Sequence, residues 1–450
     1  MFNEAAAFSD KSDCLKTFFK FLEDRGLKYC VVGDSTRMPV EVPSDIDIVV
    51  ESDSLRRING LIREFCLNYD LAHVQTLHHE QSAYYYVLAF VDKSGTLDFL
   101  HPDVCGDYFR RGRKLLNSED LLIDRVVAVD EDGSSKNFYV ATPHQEFIYY
   151  FIKKIDKGAV NSSQFDHLRR QYLLAVEDCK KMLRRFWSEE CVNEVSRSLS
   201  SGDQELLKSM VPALKRELAE GKKFHFVYSL REFFRQMGRV LRPTGISVAL
   251  LGPDGAGKTA VGDGLVEKLS PAFRKVSRFH LRPYCLGNPE RGSVVADPHN
   301  KKPRGILSSI AKLVYFLADY LIGWVAKILP LKIHSNFVIF DRYYHDLLVD
   351  PKRYRYSAPR WLSRLVSKIV PKPDLFIVLD APTEMIQLRK REVPHSETDR
   401  QRKAYLKFAK GRQDCIVLNT AKPLESTMRD SCDAVLRYMQ ARERKRQRAV

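Results

Sequence analysis

The run Gly252-Pro253-Asp254-Gly255-Ala256-Gly257-Lys258-Thr259 constrains this chain more than any other eight residues in it. It fills the spacing G-x-x-x-x-G-K-[S/T] without a mismatch. The β-branched, apolar run Ile246–Leu251 reads as a buried strand leading into it, and Val261, Leu265, Val266 and Leu269 recur at helical spacing after it. Strand, glycine-rich loop and helix in that order make a cradle for a polyphosphate. Glycines let successive backbone amides curl around an anion, and the helix N-terminus adds partial positive charge at the same place. In such a cradle Lys258 reaches the β- and γ-phosphates and Thr259 offers its hydroxyl to Mg²⁺. Gly252, Asp254, Gly255, Ala256, Gly257, Lys258 and Thr259 are therefore the candidate ATP-binding residues.

The surrounding residues fit this reading. Ile246–Leu251, Lys275–His280, Phe337–Phe340, Leu375–Leu379 and Cys415–Leu418 are short apolar runs spaced widely enough for intervening helices. They predict a five-stranded parallel sheet covered by helices on both faces. The third run ends in Asp341-Arg342-Tyr343. A carboxylate at the end of a buried strand can hold Mg²⁺ through water or orient a phosphate acceptor, and an arginine beside it can grip a phosphate by two parallel hydrogen bonds. Arg282 follows the second run, and Arg389, Lys390 and Arg391 follow the fourth and its helix. Guanidinium groups closing over a migrating phosphoryl group neutralise the charge spread over it. Lys258, Asp341, Arg342, Arg389 and Arg391 form the candidate catalytic set, with Thr259 and Asp341 as candidate Mg²⁺ ligands.

Residues 246–440 resemble the thymidylate kinase family of P-loop nucleoside monophosphate kinases. The matching pieces are GPDGAGKT, the Asp-Arg-Tyr after the third strand, and PDLFIVLDAPTEMIQLRKRE. The resemblance implies an ATP- and Mg²⁺-dependent phosphotransferase that moves the γ-phosphoryl group of ATP to a nucleoside monophosphate or related phosphorylated acceptor. By position it places Asp254 against the acceptor's sugar, Arg282 and Arg342 on its phosphate, and Arg389 and Arg391 at or beside a lid. Dimers are common in the family, which leaves a homodimer open. The chain departs from the pattern in four places. Leu251 stands where a Glu is usual, Arg282-Pro283-Tyr284-Cys285-Leu286-Gly287 replaces Arg-Glu-Pro-Gly-Gly, a hydrophobic insert runs from Asp297 to Ile333, and Asp350–Tyr356 replaces the familiar acceptor loop. These features are more similar to thymidylate-kinase-like proteins found beside bacterial surface-polysaccharide genes, and they leave the acceptor open.

The N-terminal region carries a second constellation. Lys28–Gly33, Asp45–Val50, Tyr84–Val91 and Thr96–Leu100 read as strands, the last two joined by a turn at Asp92–Gly95, and Leu15–Leu22 and Leu55–Leu67 as helices. Along Asp45-Ile46-Asp47 the two-residue period puts both carboxylates on one face. Asp98, expected on an adjacent strand, would complete a three-carboxylate site for Mg²⁺. The region resembles the minimal nucleotidyltransferase fold related to DNA polymerase β, whose pattern is Gly-Ser, then Asp-x-Asp, then a distant Asp. The departure is Gly33-Asp34-Ser35, with an acidic residue between glycine and serine.

The organisation expected is thus α/β and multidomain: an α+β nucleotidyltransferase-like domain over 1–107, a helical connector over 108–242, where strand signals fade, and a P-loop kinase-like domain over 243–450. Of the 450 residues 44% are hydrophobic and 29% charged, which excludes wholesale disorder. The net charge of +16 favours anionic partners. Besides the kinase, two functions fit: a metal-dependent nucleotidyltransferase acting through Asp45, Asp47 and Asp98, or a non-enzymatic basic protein that binds nucleotides or nucleic acid. No recognition helix, zinc spacing or aromatic RNA-binding run supports a specific nucleic-acid partner. Nine scattered cysteines and an N-terminus without a secretory pattern predict a reduced, cytoplasmic protein. Ile306–Leu329 is apolar enough to consider a membrane, but Lys312, Asp319 and Lys327 interrupt it, which predicts a soluble helix with a polar side. The basic stretch Arg442–Arg448 reads as a solvated, frayed end.

Overall fold

The computed structural model describes residues 7–130, 132–221, 223–287 and 304–447. Contacts divide the chain into two compact units, Phe2–Gly238 and Arg239–Val450.

In the first unit the elements run α1 (Lys11–Asp24), β1 (Tyr29–Val31), β2 (Ile46–Val50), α2 (Leu55–Asn68), β3 (Ala72–Glu80), β4 (Ala83–Val91), β5 (Leu97–Leu100), β6 (Pro102–Cys105), β7 (Tyr108–Arg110) and β8 (Arg113–Leu116). They continue with α3 (Ser118–Leu122), β9 (Val126–Val129), β10 (Ser135–Val140), α4 (Pro143–Lys157), α5 (Ser162–Leu174), α6 (Val176–Leu183), α7 (Glu189–Ser201) and α8 (Gln204–Glu220). Helix α9 (Phe226–Leu241) runs past the division. Eight strands form a mixed sheet in the order β3-β4-β6-β2-β1-β10-β9, with β5 paired to β4, while β7 and β8 form a separate hairpin.

The alternation of side chains along the sheet builds two cores. Tyr29, Val31, Ile46, Ile48 and Val50 face one side and pack with Phe18, Phe19 and Phe65 of α1 and α2. Cys30, Val32 and Val49 face the other and pack with Phe147, Phe151 and Leu168 of α4 and α5. The helical region expected from residue 108 begins only at α4. The segment before it supplies β9 and β10, and β10 pairs in parallel with β1, so these strands belong to the first sheet. They escape a periodicity reading because β9 is a short edge strand with three of its four side chains exposed, and because polar residues start β10.

In the second unit the elements are β11 (Ile246–Leu251), α10 (Lys258–Leu269), β12 (Val276–His280), α11 (Ile306–Gly323), a π-helical turn over Trp324–Ile328 leading into α12 (Leu329–Ile333), β13 (Phe337–Asp341), α13 (Asp346–Val349) and α14 (Arg360–Ile369). They end with β14 (Leu375–Asp380), α15 (Thr383–Arg389), α16 (His395–Ala409), β15 (Cys415–Asn419) and α17 (Leu424–Gln447). The five strands expected from the apolar runs form one parallel sheet in the order β12-β13-β11-β14-β15. All six residues of β11 are buried, as a central strand covered on both faces requires. The chain leaves β11 toward β12 and β13 on one side and reaches β14 and β15 on the other. The strand order reverses there, and the carboxyl end of β11 lies at the crevice where parallel sheets of this kind take ligands.

The hydrophobic insert lies outside the described residues from Asp297 to Pro303; from Ile306 it is α11. The helix Ile306–Ile333 is long and apolar enough to cross a membrane by length and composition alone. Its Asp319 is fully buried and accepts from the backbone amides of Tyr284 (3.1 Å), Cys285 (2.7 Å) and Leu286 (2.6 Å), so the helix pins the segment after β12. The basic end is not frayed through Gln447. Arg442 donates to the carbonyls of Thr244 (2.5 Å) and Gly245 (2.9 Å), and Arg446 to that of Pro243 (2.8 Å), tying the end of α17 to the start of β11.

Candidate active site

The loop between β11 and α10 is bent by glycines in backbone regions closed to most residues. Gly255 has φ 86° and Gly257 φ 89°. A side chain at Gly252 would also meet the Leu379 carbonyl oxygen at 2.6 Å, so β14 fixes how the loop turns. Gly257 caps α10, which puts Lys258 and the exposed Thr259 in its first turn. The Lys258 ammonium is buried within the bend and donates to the carbonyls of Gly252 (2.9 Å) and Pro253 (2.8 Å). Burial, helped by the positive charge of Arg342, pushes its pKa down to about 8.

Asp254 is the anionic centre of the loop. It accepts from Arg342 on one carboxylate oxygen and Arg353 on the other, with Lys258 3.5 Å away. Burial alone would raise this carboxyl, but a hydrogen bond with Glu392 and the charges of Arg342, Lys258 and Arg353 hold it well below the usual carboxylate range. Arg342 follows β13 directly, has φ 71° and is buried. Its other hand donates to the fully buried Asp346, which also accepts from the hydroxyls of Tyr354 (3.2 Å) and Tyr405. Asp341, opposite Leu250 in the register of β13 and β11, places a carboxylate at the same sheet edge. His280 Nδ1 lies 3.8 Å from its Oδ2, whereas Oδ1 is buried and has no hydrogen-bond partner among the described residues. Burial raises the Asp341 carboxyl, and His280 and Lys258 more than offset that, leaving it below its ordinary value.

The structure thus brings together Lys258, Asp254, Asp341 and Arg342 beside Gly252, Gly255, Ala256, Gly257 and Thr259. The other three arginines lie elsewhere. Arg282 is paired with Asp319 at 3.1 Å and lies over the rings of Tyr284 and Tyr315, because Asp319 gathers the whole segment after β12 onto α11. Arg389, still in the last turn of α15, donates to the Thr420 carbonyl (2.8 Å) beyond β15, and Arg391 is exposed. Lys390 is the member of that basic run nearest the loop, since a side chain at Gly255 would come within 3.3 Å of its Cβ. Arg353, Asp346 and Glu392 were not among the expected site residues. Asp346 had a local signal, four residues after Arg342, and Arg353 lay in a basic run already conspicuous in the sequence. Glu392 reaches the cluster only through the fold.

The Thymidylate kinase family model matches residues 251–430. A "probable thymidylate kinase" of Archaeoglobus fulgidus is 30% identical over 183 residues, covering 40% of this chain and 88% of the relative. The chain belongs to the thymidylate kinase family. The membership rests on its second unit. A thymidylate kinase of Xanthomonas campestris pv. campestris (strain B100) is 29% identical over 164 residues, 35% of this chain and 67% of the relative. The crystal structure of thymidylate kinase from Ehrlichia chaffeensis overlaps 42% of this chain and 98% of its own, with 18% identity and a TM-score of 0.33. The match to the family model begins at Leu251, within the second unit.

In the first unit the expected carboxylate triad is corrected. Asp47 lies on β2 opposite Asp103 of β6, and Lys153 of α4 approaches it to 3.9 Å. Asp98 lies on β5, which pairs only with β4. Its face is that of Leu100, which belongs to the core under α1 and α2, while Asp47 shares the opposite face with Val49. A carboxylate on β5 therefore cannot join Asp45 and Asp47. Among the described residues no group of three or more His, Cys, Asp or Glu side chains could hold a metal ion. Gly33 instead donates its amide to Glu146 of α4 (2.8 Å), which also contacts His167 (3.0 Å).

Proposed function

We propose that the second unit is an ATP-dependent phosphotransferase that moves the γ-phosphoryl group of ATP to a nucleoside monophosphate or a related phosphorylated acceptor. The observation that carries this reading is the buried Lys258 inside a glycine bend, with Asp341 and Arg342 at the adjoining end of β13. ATP would lie with its phosphates along the bend, their charge met by the loop amides, the α10 N-terminus and the Lys258 ammonium. Lys258 would exchange its contacts with the Gly252 and Pro253 carbonyls for phosphate oxygens as ATP enters.

Magnesium fits the residues present. The Asp341 Oδ1 without a partner and the Thr259 hydroxyl in the first turn of α10 are oxygen donors of the kind Mg²⁺ takes, and they would hold it. When bound it supplies neutralisation of phosphate charge. Arg342 and Arg353, both anchored on Asp254, would present guanidinium groups to the acceptor's phosphate, and the anchor would limit how far either can swing.

The test is a screen with ATP labelled separately at the α- and γ-phosphates against nucleoside monophosphates and sugar phosphates. Transfer of γ-label to an acceptor, reduced at least about 100-fold in kcat by Lys258→Ala, is expected. Acceptor phosphorylation that survives Lys258→Ala would refute the assignment, and incorporation of α-label instead would point to the first unit.

A further inference from the structure

The chain after α13 is strapped along the first turns of α11. Arg304 donates its backbone amide to the Arg355 carbonyl (3.2 Å), and Lys312 donates its ammonium to the Tyr354 carbonyl (3.0 Å). The Ser357 amide donates to the Ser309 hydroxyl (3.1 Å). Arg355 has φ 54°, a conformation that a residue with a side chain adopts at a cost. These ties bring cations from two segments to one place.

Lys312 is at the centre of them. Its half-buried ammonium lies over the rings of Phe316 (5.2 Å) and Tyr354 (5.7 Å). The guanidinium of Arg282 lies over the same Phe316 ring at 5.5 Å, so one ring serves two cations. Among the described residues the charges acting on Lys312 are those of Arg304, Arg355 and Arg282, all positive. Burial first, and then these charges, push its pKa down to about 8.

The sequence supplies little to balance them. From Arg304 to Ile333 the only acidic residue is Asp319, and from Pro351 to Pro373 there is none. Asp319 is fully buried, accepts from three backbone amides and faces Arg282 at 3.1 Å. One carbonyl and two ring faces solvate the Lys312 ammonium, but they carry no negative charge to neutralise it. Like charges gathered in this way are relieved by an anion that comes between them.

Tyr354 fixes where that anion would stand. Its carbonyl meets Lys312, and its hydroxyl donates to Asp346 (3.2 Å), the partner of Arg342. Arg353, one residue earlier, is anchored on Asp254. The Tyr354 side chain therefore separates Lys312 from the pair Arg342 and Arg353. That pair already has two carboxylates, Asp254 and Asp346, whereas the Lys312 group is in surplus. Three cations suit the double charge of a phosphate monoester better than a single carboxylate.

We infer that Lys312, flanked by Arg304 and Arg355, binds a phosphate group, and that this is a second phosphate on the acceptor, one tyrosine side chain away from the phosphate met by Arg342 and Arg353. The assignment to the acceptor rests on the phosphotransferase reading; the binding of phosphate does not.

Sulfate serves as the probe of the site, titrated calorimetrically into the full chain carrying Lys258→Ala so that the glycine bend contributes no lysine. Adding Lys312→Met should weaken sulfate binding at least about tenfold, and Lys312→Arg should retain it. Melting temperatures check that each variant is folded. No sulfate binding, or binding indifferent to Lys312→Met, would overturn the inference. With Lys258 restored, transfer from ATP is compared between thymidine 3′,5′-bisphosphate and thymidine 5′-monophosphate, and between glucose 1,6-bisphosphate and glucose 1-phosphate. In at least one pair the bisphosphate should be favoured in kcat/KM by about tenfold or more, and Lys312→Met should remove the preference through KM. Equal use within both pairs, or a preference that survives Lys312→Met, would overturn the assignment to the acceptor. Sulfate binding at Lys312 without transfer to any of the four would count against the phosphotransferase reading and leave the phosphate site standing.

Discussion

Arg342 and Asp254 form a buried ion pair that ties the residue after β13 to the phosphate-binding loop after β11. Each has a further partner of opposite charge: Asp346 on the arginine and Arg353 on the aspartate. The loop is therefore held from two sides by charges brought in from elsewhere in the unit. Asp254→Asn would remove the carboxylate that Arg342 and Arg353 share, leaving Arg342 only Asp346. Removing one member of a buried pair costs about 3 kcal/mol or more, because the partner stays desolvated. Urea unfolding should show that loss, and Asp254→Asn with Arg342→Met should recover part of it.

The depressed pKa of Lys258 produces two pH effects of opposite sign. The folded-state value is about 8 against an ordinary 10.5, with burial as the main cause. Between those values the unfolded chain holds a proton that the folded chain has released, so this residue's contribution to stability rises with pH through the window, is complete above it, and is lost as pH falls through 8. Nucleotide binding needs the charged ammonium and should weaken over the same window. Titration of ATP affinity from pH 7 to 10, beside thermal unfolding over the same range, should show the two curves diverging. Lys258→Met should flatten both.

Asp103 in the first unit is a buried carboxyl whose loss of a proton is opposed by its surroundings. Burial, then the neighbouring charge of Asp47, raises its pKa from 3.8 to about 7. For a raised carboxyl the stabilising contribution is full below the unfolded value and fades as pH rises through the folded one. Asp103→Asn should therefore stabilise the chain at pH 8, on the order of 2 kcal/mol, and have little effect at pH 4. Equal effects at the two pH values would contradict the assignment.

Asp319 is the test of why a carboxylate sits in so apolar a helix. It accepts from three consecutive backbone amides and pairs with Arg282. Asp319→Leu would bury those donors without an acceptor, and a loss of about 3 kcal/mol or more is expected in urea unfolding. Limited proteolysis should then cut between Tyr284 and Gly287 first. If the helix crossed a bilayer, the same substitution would instead favour insertion.

Much of the second unit was legible from the sequence for a specific reason. Its three central strands, β11, β13 and β14, are buried along nearly their whole length and so written as unbroken apolar runs, and Gly252–Thr259 is a local motif whose residues must be contiguous to curl around an anion. Asp341 and Arg342 could be found because they end such a run. The first unit was harder to read at its edges. The strand at Ala72–Glu80 carries His73, Gln75, His78 and His79 and gave no alternation, and the exposed β9 resembled loop. The error at Asp98 came from counting a strand as a neighbour without knowing which face its side chains take.

The sequence by itself determined the phosphate-binding loop, the five parallel strands and the Asp341-Arg342 step at the end of β13, because each is written in contiguous residues. Only the tertiary structure decided which charges close on the loop. Arg353 and Glu392 reach Asp254, Tyr405 reaches Asp346, and Arg282 goes to Asp319 instead. Such pairings join residues far apart in the chain, and which side chains meet at a sheet edge is settled by how the helices pack, a quantity that no local spacing records.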